Sequence, residues 1–328
     1  NQFMEFLVTG STGFIGKRVV KQLLLKDIKV VASDINIQNE KASFFDYLQK
    51  YKLDTNKVNL LELNISSKEN INSIFENNNI THMICCGYQM SNLIDANPVK
   101  GSEINIIGMC NLFESIANYN VERMIFPSSE SVYGNSQKIY GDRPVHEDDY
   151  CGLQHHSFTY AVMKLLNEFL AQKYIKKHNI SIACTRPSVV FGFGRKRSSL
   201  MWAEDFATLP ALGKPLCLPF PKDNRDNFIY VDDCAEQMVL LALKDRLNYF
   251  AYNTGSETVS GVQLVEIIKE LVSDAEITFD KNASYTPFID DQNDERIRKE
   301  ISFTPRSLKE GIKDHMNEAR EYHNLKPL

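Results

Sequence analysis

A doubly wound α/β fold, with a parallel sheet covered on both faces and a smaller C-terminal lobe, is predicted by three features of this sequence. Short β-rich runs alternate with helical segments as far as Arg186. The first of these runs leads through a glycine-containing turn into an amphipathic helix. Beyond Arg186 the alternation stops, and Pro and Gly become frequent from Pro187 to Pro221. Parallel strands joined through helices use right-handed crossovers, which put helices on both faces.

Taken in order, EFLVTG is the first strand, and the helix after its turn runs to about Leu25. IKVVAS is the second strand and Val58 to Leu61 the third; a helix near Lys68 to Phe75, a strand at His82 to Cys86 and one long helix from about Val99 to Tyr119 follow. VERMIFPSS and ISIACTRP are two further strands, separated by a helix containing Tyr160. The chain is then expected to return to the sheet for NFIYVDDCAEQMVLLAL and YFAYNTG, and to finish with SGVQLVEIIKEL and a helix near Ser307 to Tyr322. Residues 1–186, joined by 224–254, make the sheet domain, and 187–223 with 255–328 make the smaller lobe.

A hydrophobic content of 43%, a charged content of 24% and a net charge of -5 give no electrostatic reason to expect nucleic acid or an anionic membrane as partner. No run of about twenty apolar residues is present. The seven cysteines form no C-x-x-C pattern and several lie in apolar runs, as expected for reduced thiols in the cytoplasm. Cys85 and Cys86 are adjacent on a strand and so point to opposite faces, which argues against a redox pair. The sequons beginning at Asn64, Asn79 and Asn179 then read as chance matches, and Met4 as the natural start.

The turn VTGSTGFIGKRVV carries Gly10, Gly13 and Gly16 between strand and helix. Gly10 suits a tight turn, Gly13 lets the backbone approach a pyrophosphate, and Gly16 permits close helix–strand packing. Phe14 and Ile15 open the helix whose N-terminal amides would meet the phosphates. Asp34, at the end of the second strand, is a carboxylate that can accept from both hydroxyls of an adenosine ribose and would repel a 2′-phosphate. NAD rather than NADP is the expected cofactor.

Tyr160 and Lys164 lie four residues apart on a helix, so they share a face. By itself such a pair is more often two polar residues on a structural face than a proton-transfer device, so the companion motifs must decide. The order T-G-x-x-G-x-x-G, PSSESVYG, Y-x-x-x-K, TRPSVVFG and RDNFIYVDDCAEQ resembles the extended short-chain dehydrogenases/reductases, the NAD-dependent epimerase/dehydratase family, from about residue 5 to 255. The resemblance implies a Rossmann fold, with the C-terminal lobe binding substrate. It implies that Tyr160 is the acid/base and that Lys164 holds the nicotinamide ribose and lowers the Tyr160 pKa. A phenol ordinarily titrates at about 10, so a nearby ammonium is needed to make it a base near neutrality.

The same alignment makes Ser129 the third catalytic hydroxyl, with Ser128 and Ser131 as neighbouring candidates. Glu130 stands where the family's dehydratases carry two carboxylates; one alone argues against dehydration and leaves Glu130 as a substrate contact. Asn64 and Ile65 fall at the adenine, Cys86, Gly87 and Tyr88 beside the cofactor, and Pro187 near the nicotinamide. Arg225 matches the family's diphosphate-gripping Arg, whereas Val189 replaces an Asn usual in the nucleotide-sugar enzymes. His155, His156, Arg195, Lys196 and Arg197 are further anion contacts or solvated loop residues; no metal site is expected.

The leading expectation is an epimerase of a sugar, nucleotide-linked, working through transient oxidation. The alternatives are a dehydrogenase or reductase exchanging its cofactor each turn, and a non-catalytic NAD-binding sensor. By analogy with the family, the helices from Val99 and at Tyr160 are expected to pair with their copies in a homodimer.

Overall fold

The computed structural model describes residues 3–88, 90–195 and 200–328. The chain divides into two compact units: Asn1–Ser129 with Phe158–Arg186 and Ala235–Tyr252, and Glu130–Ser157 with Pro187–Cys234 and Asn253–Leu328. Residues 130–157, 224–234 and 253–254 thus group with the second unit, where the sequence placed them with the first.

The first unit begins with β1 (Glu5–Thr9), α1 (Gly16–Leu25), β2 (Lys29–Asp34), α2 (Ile37–Lys50), β3 (Val58–Glu62), α3 (Lys68–Glu76) and β4 (His82–Cys85). Two short helices, α4 (Ser91–Ala96) and α5 (Pro98–Ser102), lead into a π-helical segment, Glu103–Gly108, and then α6 (Met109–Asn118). β5 (Arg123–Pro127), α7 (Thr159–His178) and β6 (Ile182–Pro187) follow. A seventh strand, Ala251–Thr254, completes a sheet in which it is followed by β6, β5, β4, β1, β2 and β3. β1 pairs in parallel with both β2 and β4, so the strand order reverses there. In such sheets that reversal opens a crevice at the carboxyl ends of the strands.

Every residue of β1 is buried. Leu7, Val31, Met83, Met124 and Cys184 from five strands pack with Leu112, Phe113 and Ile116 of α6. Full burial of one such side chain contributes about 1.5–3 kcal/mol. At the start of β5, Arg123 donates to the carbonyls of Leu241 (3.1 Å), Lys244 and Asp245 (3.3 Å), capping the C-terminal end of the helix Val231–Leu243.

Two expectations change and one helix is added. The helix expected over Val99 to Tyr119 is broken by the π segment. The wider turn accommodates two close approaches: Asn167 donates from Nδ2 to the Asn105 carbonyl at 2.8 Å, and a Cβ on Gly108 would lie 2.6 Å from Ile65 Cγ1. NFIYVDD does not rejoin the large sheet. Its strand, Arg225–Tyr230, lies in the second unit between Val189–Phe191 and Glu257–Ser260 in a separate three-stranded sheet. Finally, α2 escapes the sequence pattern because only Phe44, Tyr47 and Leu48 of its residues are buried, too narrow a stripe to stand out.

The second unit packs Phe191, Phe206 and Phe228 with Trp202 and Phe220. Within it, buried His315 contacts Thr208 Oγ1 at 2.8 Å and Glu204 at 3.6 Å.

Candidate functional site

The glycine-rich turn is built on backbone contacts. Gly10 sits at φ +65°, and a Cβ there would lie 2.5 Å from the Gly87 amide nitrogen, so the ends of β1 and β4 meet with no room for a side chain. A Cβ on Gly16 would overlap the Gly10 carbonyl oxygen. A Cβ on exposed Gly13 would meet only that oxygen, at 3.2 Å. Gly13 therefore keeps open a surface at the entrance to α1, as close approach by a phosphate requires.

Asp34 closes the turn from β2. Its Oδ2 accepts from the Thr12 amide at 3.1 Å and the Thr12 hydroxyl at 2.6 Å, while Oδ1 accepts from Ile35 N at 2.8 Å. A cavity of about 210 Å³ is lined by Gly10, Asp34, Asn64, Ile65, Gly87 and Tyr88, and also by Lys100. Drug-sized pockets measure about 300–1,000 Å³, so this space suits one half of a dinucleotide. Asn64 uses its Oδ1 to accept from the amide and hydroxyl of Ser66, at 3.0 and 2.7 Å, which orients its side chain. Phe14 and Ile15 are half-buried at the helix entrance, where the Arg18 guanidinium lies 5.7 Å from the Phe14 ring.

Helix α7 carries Tyr160 in its first turn and Lys164 one turn later. Lys164 is 3% exposed and donates from Nζ to the Pro127 carbonyl at 2.7 Å. The same nitrogen stands 3.6 Å from the Tyr88 ring centre and 5.4 Å from that of Tyr160; the two rings meet edge-on at 5.6 Å. Burial pushes the Lys164 pKa down to about 8, with the Cys85, Cys86 and Cys184 thiols and the Glu168 carboxylate acting the other way. Burial raises the Tyr88 phenol well above its ordinary value.

The neighbouring serines differ. Ser128 is buried and donates its hydroxyl to Glu168 at 2.6 Å, whereas Ser129 is half-buried. Ser131 is buried and belongs to the second unit. The first unit therefore gathers Gly10, Gly13, Gly16, Asp34, Asn64, Cys86, Gly87, Tyr88, Ser129, Tyr160 and Lys164.

Glu130, Pro187 and Arg225 belong to the second unit. Glu130 is buried, and its pKa is raised well above the carboxylate range by desolvation and then by Asp226 and Asp290. Arg225 pairs with Asp290 at 3.6 Å. Val189 is a core residue at 2% exposure and offers no polar group. Arg195 donates to the Val190 carbonyl, and His156 contacts the Cys151 thiol at 3.5 Å. His155 is half-buried, and Lys196 and Arg197 lie outside the described residues. Among the described residues no group of three or more His, Cys, Asp or Glu side chains is arranged to hold a metal.

Glu168 and Arg186 are two neighbours of this site that the motifs do not single out. Arg186 donates to Glu168 from Nε at 3.1 and 3.2 Å and from Nη2 at 2.5 Å, and both are buried. Continuing the four-residue spacing from Tyr160 through Lys164 reaches Glu168, which is the signal that would have found it.

The family model for the NAD-dependent epimerase/dehydratase family matches residues 6–255. A UDP-glucose 4-epimerase of Bacillus subtilis is 30% identical over 302 residues, covering 84% of each chain. Among solved structures, a UDP-glucose 4-epimerase of Thermotoga maritima with UDP-glucose superimposes with a TM-score of 0.82 at 22% identity, over 98% of this chain and 100% of that one. A GalE-like L-threonine dehydrogenase of Cupriavidus necator gives 0.79 at 18% identity, over 96% and 99%.

Proposed function

Because the chain belongs to the NAD-dependent epimerase/dehydratase family, we propose that it is a sugar epimerase acting on a nucleotide-linked sugar, with Tyr160 as its acid/base. NAD, when bound, supplies the two-electron oxidation and re-reduction of a carbinol carbon. Tyr160 takes the hydroxyl proton through its phenolate oxygen and returns it when the ketone is reduced, so protons and electrons balance over the cycle. Lys164 favours that phenolate by its charge and is held in place by the Pro127 carbonyl. Ser129 shares the substrate oxygen. Gly10, Gly13 and Gly16, with Phe14 and Ile15, receive the pyrophosphate, Asp34 the adenosine ribose, Asn64 and Ile65 the adenine, and Cys86, Gly87, Tyr88 and Pro187 flank the rest of the cofactor. Glu130 and Arg225 remain substrate contacts in this proposal.

The observation that carries it is the placement of the Lys164 ammonium 5.4 Å from the Tyr160 ring, on the unit that also holds the Gly10–Gly87 cradle. The test is to assay cofactor released on denaturing extensively dialysed protein, and to incubate the protein with UDP-glucose. Near-stoichiometric NAD, unreplaced by added NADP, together with formation of the C4 epimer supports the proposal. An empty protein that oxidises its substrate only with added NAD supports the second reading, a dehydrogenase with exchangeable cofactor. That reading is favoured by Val189, whose buried apolar side chain removes a polar contact expected for nucleotide sugars.

We also propose a homodimer through the helical stretch that contains Val99 (α5, the π segment and α6) and α7. Val99, Ile107, Leu166 and Phe169 expose between 41% and 71% of their surface, more apolar area than scattered surface residues need. Light scattering that finds only monomer at micromolar concentration overturns this.

A further inference from the structure

We propose that Glu168, clamped by Arg186, is a positioning residue: through the Ser128 hydroxyl it fixes Ser129 relative to Tyr160 and Lys164. This rests on the proposal that those three residues handle the substrate proton. The end of β5 is attached to α7 at two successive points. The Pro127 carbonyl accepts from Lys164 Nζ at 2.7 Å, and the Ser128 hydroxyl donates to Glu168 Oε2 at 2.6 Å. The Ser128 amide is also committed, donating to the Thr185 carbonyl at 2.6 Å.

Lys164 and Glu168 are one helical turn apart on one stripe of α7, and Tyr160 precedes them on the same stripe. One attachment to β5 would leave the helix free to turn about that point relative to the strand. Two set both its height along β5 and its rotation about its own axis, and hence the direction in which Tyr160 leaves it.

The second consequence falls on Ser129. Ser128 and Ser129 follow directly on the last residue of β5, and while Glu168 holds the buried Ser128 hydroxyl, the next residue, Ser129, is half-buried and nearer the surface. Glu168 keeps its orientation because Arg186 grips both carboxylate oxygens from a neighbouring strand, a forked geometry that a single ammonium would not impose. The hydrogen bonds named above join β5, β6 and α7 and do not run to the glycine-rich turn, so their loss is expected to disturb proton transfer and leave cofactor binding intact.

The experiment compares wild type with Ser128→Ala, Glu168→Gln and Tyr160→Phe, using UDP-glucose, UDP-glucuronate and dTDP-glucose as probes and measuring kcat, KM and retained NAD. Glu204→Gln removes a buried carboxylate of the second unit and serves as the control, with kcat unchanged. Ser128→Ala deletes one oxygen and leaves the buried ion pair intact, so it decides the matter even if Glu168→Gln does not fold. The expected result is a fall in kcat of about tenfold in each folded network variant, with KM and NAD content within about twofold, as for an ångström-scale misplacement of reacting groups. Wild-type kcat in Ser128→Ala, or equal losses in kcat and NAD content, overturns the positioning role. Full activity in Tyr160→Phe, or no turnover of any probe by wild type, instead overturns the underlying assignment, and the positioning role falls with it.

Discussion

Tyr160→Phe is expected to lower kcat by about a thousandfold or more while leaving NAD content unchanged, since general acid–base groups contribute about 10²–10⁴ in rate. The substitution removes one oxygen and keeps the ring that meets Tyr88 edge-on at 5.6 Å, so packing is conserved. A companion measurement reads Lys164. With its pKa pushed down to about 8, the ammonium is present below that pH and is lost above it, and support for the phenolate is lost with it. The kcat/KM profile is therefore expected to fall on its alkaline side near pH 8. A variant that binds NAD normally and retains wild-type turnover would remove Tyr160 from the mechanism and revive the idea of a sensor.

The second large effect separates two glycines. In Gly16→Ala the new methyl would overlap the Gly10 carbonyl oxygen, backbone against backbone, and neither can yield without opening the first turn of α1. Overpacking of that kind costs about 3 kcal/mol, and NAD retention should vanish along with stability. In Gly13→Ala the methyl meets only the Gly10 oxygen, at 3.2 Å, and otherwise occupies the surface proposed for phosphate. Its melting temperature should stay near that of wild type while NAD affinity falls at least about tenfold, one lost close contact being worth about 1.4 kcal/mol. Denaturant unfolding combined with cofactor titration checks both. Equal losses of stability, or retained NAD in Gly13→Ala, would dismiss the phosphate cradle.

The strand–turn–helix opening is legible in the sequence because each part carries a local signal: a β-rich run, three glycines at fixed spacing, then an amphipathic helix. Tyr160 and Lys164 are legible because helical periodicity links neighbours in sequence. What is not legible depends on distant partners. The apolar run at Phe228 to Tyr230 announces a buried strand but cannot name its sheet, and it pairs with Val189–Phe191 and Glu257–Ser260. The π turn depends on Asn167, which lies 62 residues from the carbonyl it bonds. Ser128 and Ser129 are identical side by side, and the bond from the Ser128 hydroxyl to Glu168, 40 residues on, distinguishes them.

Strand β5 is fastened at both ends, by Arg123 to the carbonyls around Leu241 and by Ser128 to Glu168. It behaves as a tie-rod: the segment leading to Ser129 cannot fray from either terminus without breaking bonds to a helix. Local opening there should approach the cost of unfolding the sheet as a whole. If Ser129 handles the substrate as proposed, the order of that hydroxyl and the stability of this unit are coupled: softening the core around β5 would loosen Ser129 as well.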